Sequence, residues 1–204
     1  MARPTSAGLR EAGTNLALAL LYAAFAWVHL RSFASHPRAS VLILVAMESL
    51  AAILFVLRSP ASRTSTSAWS WLTTVGGTFA PFLLRPTGAA SDLGFAQVIQ
   101  AAGAGMALVA LACLNRSFGL LPAVRGVRQA GLYRVVRHPL YAAYTIQNLG
   151  YLASNLSSWN VGIVLVALVF QVLRIVNEEQ LLSTVPDYRT YMRRTRWRLV
   201  PFVF

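Results

Sequence analysis

The sequence predicts an all-α, polytopic integral membrane protein with about six transmembrane helices. Of its 204 residues, 56% are hydrophobic and only 12% are charged, and the mean hydropathy is +0.56. Soluble globular chains carry about 25% charged residues, so this many apolar side chains need the bilayer as their solvent. The same composition excludes a disordered chain or a coiled coil, since both need a polar sequence.

Six apolar stretches are candidate spans, and each is near the ~20 residues that a helix needs to cross ~30 Å of hydrocarbon. They are residues 14–30, 40–57, 68–84, 95–114, 140–156 and 159–176. No alternation of polar and apolar residues runs through them, which favours helices over barrel strands. The third stretch contains Gly76, Gly77 and Pro81, and a re-entrant segment there is the alternative to a full crossing.

The arginines predict the orientation of these spans. All 18 basic residues are arginine, and with six acids they give a net charge of +12. With a cytoplasmic N-terminus, 15 arginines fall on the cytoplasmic side and only Arg31, Arg38 and Arg85 on the other. We therefore expect both termini in the cytoplasm of a bacterial or archaeal-type cell. The basic loops are expected to lie against anionic membrane lipids rather than nucleic acid.

Composition divides the chain into two parts. Residues 1–114 form about four spans with short loops and few chemically versatile side chains. Residues 115–204 hold a cytosolic loop, a predicted two-helix hairpin turning at Ser157 and Ser158, a C-terminal tail and 11 of the 18 arginines. Catalytic chemistry is therefore expected in the second part. The chain has a single cysteine, Cys113, so neither a disulfide nor a cysteine-based metal site can be assembled.

Two polar motifs are brought to one membrane face by this hairpin. Arg137 and His138 precede Pro139, which suits the first turn of a helix, and the sixth span returns to the same face at Glu178 and Glu179. Cations at a helix N-terminus and anions at a C-terminus are each disfavoured by ~0.3 to 1 kcal/mol, so the groups are best stabilised by facing each other or a zwitterionic ligand. Alternatively, the sixth helix continues into the cytosol with solvated glutamates, and the arginines only follow the positive-inside rule.

These motifs and the tail from Tyr188 to Pro201 resemble the C-terminal signature of the isoprenylcysteine carboxyl methyltransferase family and its relatives, the integral-membrane phospholipid methyltransferases. That signature consists of Arg-His-Pro-x-Tyr-x-Gly, a hydrophobic hairpin, Glu-Glu, and a Tyr-x-x-Tyr tail closing on a proline. One departure is Ala143, which stands where the pattern has glycine. Residues 1–114 carry no signature of this kind.

The resemblance implies a methyltransferase that uses S-adenosylmethionine, bound in a cytosolic C-terminal pocket between the last helices and the tail. The absence of a G-x-G-x-x-G after a strand agrees with this, and Gly103 and Gly105 are better explained by close helix packing. The resemblance implies that seven residues line the cofactor cavity or hold the tail over it: Arg137, His138, Tyr141, Glu178, Glu179, Tyr188 and Tyr191. Of these we expect His138, Tyr141, Glu179, Tyr188 and Tyr191 to bind the cofactor. The candidate catalytic residues are Arg137 and Glu178, together with Arg174 and Arg194, which could clamp an acceptor carboxylate.

These residue types suit the ligand. Arg137 and His138 can donate to the cofactor's carboxylate, a glutamate can accept from its ammonium or ribose hydroxyls, and aromatic faces can stack on the adenine or favour the sulfonium. Methyl transfer needs mainly alignment and exclusion of water, so no metal is expected. The acceptor is expected to be a lipophilic or lipid-linked molecule that enters from the membrane.

The acceptor atom stays open at this point. A carboxylate would favour a clamp from Arg174 or Arg194, an amine would need Glu178 or Glu179 as a base, and a thiol is a further alternative. A non-enzymatic scaffold or sensor that retains the cofactor fold, and a small transporter, are the alternatives from other classes. Glu48 is the only acid within a span, and it either lines a substrate route or pairs with an arginine near an interface.

Overall fold

The computed structural model describes residues 6–35, 39–87 and 94–204, and this part of the chain is mostly helical. Its α-helices are α1 (Ser6–Ser35), α2 (Ala39–Leu57), α3 (Ala68–Phe79), α4 (Gly94–Leu114), α5 (Pro139–Ser154), α6 (Ser158–Leu182) and α7 (Pro186–Arg194). Short 3-10 helices cover Ala80–Leu83, Asn115–Ser117 and Gly131–Arg134. Strand β1 (Arg63–Thr64) pairs antiparallel with β2 (Ala123–Val124). Arg3 and Arg38, two of the arginines from which the orientation is predicted, lie outside the described residues.

Three segments among the described helices are long and apolar enough to cross a membrane: Glu11–Ser35, Gly94–Ser117 and Ser158–Leu182. Helix α2 adds a shorter apolar segment, Leu42–Leu57. Helices α3 and α5 have 12 and 16 residues, fewer than the ~20 that a perpendicular crossing needs. The chain is thus a helical membrane protein with three candidate spanning helices, and the topology of six spans stays a prediction.

Helix α3 is the shortened third span. Ser67 caps its first turn by accepting a hydrogen bond from the Ser70 amide at 3.1 Å. The α-helix ends at Phe79, and Pro81, which has no N–H to donate, lies in the 3-10 turn that follows. At Gly76 the helix packs so closely on α6 that a Cβ would lie 2.7 Å from the ring of Phe170.

Helices α5 and α6 are joined by a short connection, as predicted, but each packs most extensively against a different partner. Helix α5 lies along α4, and α6 lies along α3. Two glycines allow the first contact: a Cβ on Gly103 would lie 2.8 Å from the amide nitrogen of Gln147, and one on Gly150 would lie 2.8 Å from that of Gln100. Close packing is therefore confirmed at Gly103. The prediction of close helix packing is wrong for Gly105, because a Cβ there would meet no atom within 4 Å.

The C-terminal tail is fixed to the start of α5. The backbone amides of Arg137 and His138 donate to the carbonyl oxygens of Trp197 and Arg198, both at 2.9 Å. Helix α6 continues to Leu182, past Glu179, as the alternative prediction has it. The glutamates are nevertheless not solvated as that alternative assumed: Glu179 is only 5% exposed and is contacted by Arg198 of the tail, and Glu178 accepts from the Tyr141 hydroxyl.

Candidate functional site

Glu179 is the centre of a buried ionic cluster that joins α5, α6 and the tail. Its Oε1 accepts from Arg137 Nε at 2.6 Å and lies 3.2 Å from His138 Nε2, and its Oε2 accepts from Arg198 Nε at 2.8 Å. Arg137 is equally buried, and its Nη1 donates to the carbonyls of Thr195 and Arg196 at 2.8 and 2.6 Å. Three of Arg137's donor hydrogens are therefore used within the protein, and the cluster holds the tail in place.

Glu178 belongs to a second ionic group on the neighbouring side of α6. It accepts a hydrogen bond from the Tyr141 hydroxyl, and its Oε1 lies 3.3 Å from Arg174 Nε. Arg174 is buried and also donates to Thr78 Oγ1 at 3.1 Å and to the Leu120 carbonyl at 2.5 Å. Its guanidinium stands 5.1 Å from the centre of the Tyr141 ring. This group thus joins α5, α6, α3 and the loop after α4.

A cavity of about 470 Å³ collects most of the predicted site residues. Its polar end is lined by Arg137, His138, Tyr141, Arg174, Glu178, Tyr188 and Tyr191. Its other walls come from the loop after α4 and from apolar side chains of α1, α2 and α3, among them Phe25, Leu44 and Phe79. The cavity therefore joins a charged end to an apolar end.

Two predicted site residues do not line this cavity. Glu179 lies behind it, engaged by Arg137, His138 and Arg198. Arg194 is exposed at the end of α7 and borders a separate shallow groove with Arg134 and Phe202. Its predicted place at the acceptor is therefore corrected: the C-terminal end of α7 presents its side chain to the surface instead of to the cavity. Of the two arginines considered for an acceptor carboxylate, only Arg174 faces the cavity.

Three tyrosines close the cavity at the tail. Burial raises the pKa of Tyr133, Tyr188 and Tyr191 above its usual value near 10, so all three remain protonated at neutral pH. The Tyr191 hydroxyl donates to the Tyr133 carbonyl at 2.6 Å. The Tyr188 hydroxyl is buried and has no hydrogen-bond partner among the described residues. A buried donor without a partner costs about 1 to 3 kcal/mol, which a ligand in the cavity would offset.

Arg125 is a cavity residue that the sequence analysis did not single out. Its side chain is only 4% exposed, its Nε has no hydrogen-bond partner in the described part of the chain, and its ion pair with Glu11 is long, at 3.8 Å. Burial, with a smaller contribution from Arg58, lowers its pKa to about 10, against the opposing effect of Glu11. Gly119 makes room for it, because a Cβ there would lie 2.6 Å from Arg125 Nη1. Its position between two glycines, Gly119 and Gly126, was the only signal in the sequence.

The fold describes a helical membrane protein, and its cavity has charged side chains at one end and apolar helices at the other. Residues 102–184 match the model of the isoprenylcysteine carboxyl methyltransferase (ICMT) family, which confirms the resemblance found in the sequence. The match runs from within α4 to just beyond α6 and supports a membrane methyltransferase. No curated protein matches the chain. Methyltransferases of this family generally use S-adenosylmethionine and act on lipidated substrates in membranes.

Proposed function

We propose that the chain is a methyltransferase that uses S-adenosylmethionine to methylate a lipophilic acceptor taken from the bilayer. One observation carries this proposal: a single cavity is lined at one end by the charged and tyrosine side chains of the family signature and at the other by apolar side chains of the membrane helices. Its size falls within the range of about 300 to 1,000 Å³ that is usual for small-molecule sites. A soluble cofactor and a lipophilic acceptor can therefore meet in one place.

The residues present fit the cofactor. Two buried groups that line the cavity, Arg125 Nε and the Tyr188 hydroxyl, lack partners among the described residues, and both are donors suited to a carboxylate or to polar adenosine atoms. Arg137 was the predicted contact to the carboxylate, but its Nε and Nη1 are taken by Glu179 and the tail. We assign the carboxylate to Arg125 and the positioning of the tail to Arg137. When bound, the cofactor supplies the methyl group.

The acceptor that the site suits best is a carboxylate. Arg174 faces the cavity, and its Nε makes no hydrogen bond although it lies 3.3 Å from Glu178. An amine acceptor would need Glu178 as a free base, whereas here that carboxylate accepts from Tyr141 and pairs with Arg174. In this arrangement Arg174 orients the acceptor, and Glu178 fixes Arg174. The phospholipid amine and the thiol remain alternative acceptors that the experiment below distinguishes.

The experiment is cofactor titration of the full chain purified in detergent, followed by transfer of labelled methyl groups to panels of prenylcysteines, aminophospholipids and lipophilic thiols. We expect S-adenosylmethionine to bind and the prenylcysteine carboxylate to be methylated. Arg174→Gln should raise KM for that acceptor and leave the cofactor Kd unchanged. Methylation confined to amines or thiols would overturn the carboxylate assignment. Cofactor binding without transfer in any panel would favour the scaffold or sensor alternative.

A further inference from the structure

Four polar side chains line the cavity away from its ionic end: His29 of α1, Glu48 of α2, and Gln147 and Asn148 of α5. We call them the polar wall. His29 Nδ1 lies 2.8 Å from Glu48 Oε2, and Glu48 is only 9% exposed. Apart from this pair, none of the four side chains hydrogen-bonds to another described residue. The pairing replaces the predicted partnership of Glu48 with an arginine.

The polar wall lies at one level of the helix bundle. The Leu57 end of α2 lies beside the start of the loop after α4, which lines the cavity, because the Leu57 carbonyl accepts from Arg116 Nε at 2.8 Å. Glu48 is nine residues from that end, and Asn148 is nine residues from Pro139 at the start of α5. At 1.5 Å per residue, both lie about 14 Å along their helices from these two ends, which are on the same side of the bundle as the ionic end of the cavity. His29 is at the same level through its contact with Glu48.

Polar side chains at this level of an apolar cavity are costly unless they are paired. Phe25, Leu44 and Phe82 line the cavity alongside them. A plain hydrocarbon chain in this space would exclude water from the polar wall and leave the amide side chains of Gln147 and Asn148 and the remaining acceptor sites of Glu48 unsatisfied. A hydroxyl on the acceptor could instead donate to Glu48 and accept from Asn148.

We propose that the polar wall selects acceptors that carry a hydrogen-bonding group, such as a hydroxyl, about 14 Å along the chain from the methylated atom. This inference rests on the proposed function and specifies its substrate class: a long-chain amphiphile that is polar at both ends. A chain that ends in plain hydrocarbon, such as that of a prenylcysteine, still fits the cavity but is the weaker acceptor.

The test compares dodecanoate with ω-hydroxydodecanoate as ligands of the full chain in detergent, by calorimetric binding. We expect the hydroxy acid to bind about tenfold more tightly than dodecanoate, despite its greater solubility in water. Glu48→Leu should abolish this preference. Met47→Leu, which changes a neighbouring cavity side chain without changing its polarity, should retain it. Should Glu48→Leu fail to fold, Asn148→Leu removes a wall residue without breaking a hydrogen bond within the described chain.

Equal binding of the two acids to the wild-type chain would overturn the inference, as would full preference retained in Glu48→Leu. A purely structural His29–Glu48 link would change thermal stability but not the preference. The two proposals fail separately. Methylation of both acids without preference would overturn the selective role of the polar wall and support the proposed methyltransferase activity. Preferential binding of the hydroxy acid without methyl transfer in any panel would support the role of the polar wall and overturn the proposed activity.

Discussion

Arg125 and Arg137 are both buried arginines at the cavity, but they use their donors differently. Arg137 is engaged by Glu179 and two tail carbonyls, whereas Arg125 has one long ion pair. We predict that Arg125→Gln weakens S-adenosylmethionine binding about tenfold with little loss of stability, because removing a desolvated, poorly paired cation costs little in folding. Arg137→Gln should instead lower Tm. Calorimetry and thermal unfolding in detergent measure both effects. Unchanged cofactor binding in Arg125→Gln would contradict this assignment and favour Arg137 as the residue that binds the cofactor's carboxylate.

The two adjacent glutamates should also separate by role. Successive helical positions point about 100° apart, and only Glu178 lines the cavity. We predict that Glu178→Gln lowers methyl transfer while cofactor affinity is kept, because it loosens Arg174 rather than the tail. Glu179→Gln leaves Arg137 without its carboxylate and should destabilise the fold by roughly 3 kcal/mol or more. Full activity of Glu178→Gln would contradict its role at the cavity, and an unchanged Tm of Glu179→Gln would contradict the structural role of Glu179.

At the scale of elements, the contact between α4 and α5 depends on glycine, and the chain provides its own control. A Cβ at Gly103 would overlap the α5 backbone, whereas Gly105, two residues on, faces open space. We predict that Gly103→Ala separates the helices and destabilises the protein by about 1 to 3 kcal/mol. Gly105→Ala should be neutral or stabilising by up to about 1 kcal/mol, since alanine favours helix. Thermal unfolding of the two variants measures the difference. Equal Tm values would show that α5 can shift without cost.

The sequence predicted elements well where a local pattern defines them. Apolar length located α1, α2, α4 and α6, and Pro139 marked the start of α5. The pairing of helices was not predictable in the same way, because the close approach of Gly150 to Gln100 joins residues 50 positions apart with no motif at either one. Arg125 was missed for the same reason: its burial comes from packing against Gly119 and Glu11, which no spacing rule connects.

At the scale of the whole molecule, the positions of the arginines and of two tryptophans favour the predicted orientation in the membrane. The ionic clusters, the strand pair and the tail lie at one end of the bundle with most of the arginines. At the other end Arg85 stands 4.3 Å over the ring of Trp159, and Arg31 lies 5.7 Å from that of Trp27. Paired tryptophan and arginine side chains of this kind are typical of the interfacial belt of membrane proteins. We therefore expect the few arginines at this end to anchor it at the membrane interface, and the face with most of the arginines to lie in the cytoplasm.

This orientation predicts which loops a membrane-impermeant thiol reagent can reach in intact cells. Cys113 is the single cysteine, so Cys113→Ala provides a background without thiols. In it, Ser158→Cys at the start of α6 should be labelled, and Thr184→Cys, exposed just beyond α6, should be protected until the cells are permeabilised. Reporters fused at residues 1 and 204 should both indicate the cytoplasm. A site supplied with S-adenosylmethionine from the cytosol requires this result. Labelling of Thr184→Cys with protection of Ser158→Cys would place the cavity's charged end on the outer face, away from its cofactor, and would overturn the proposed function together with the topology.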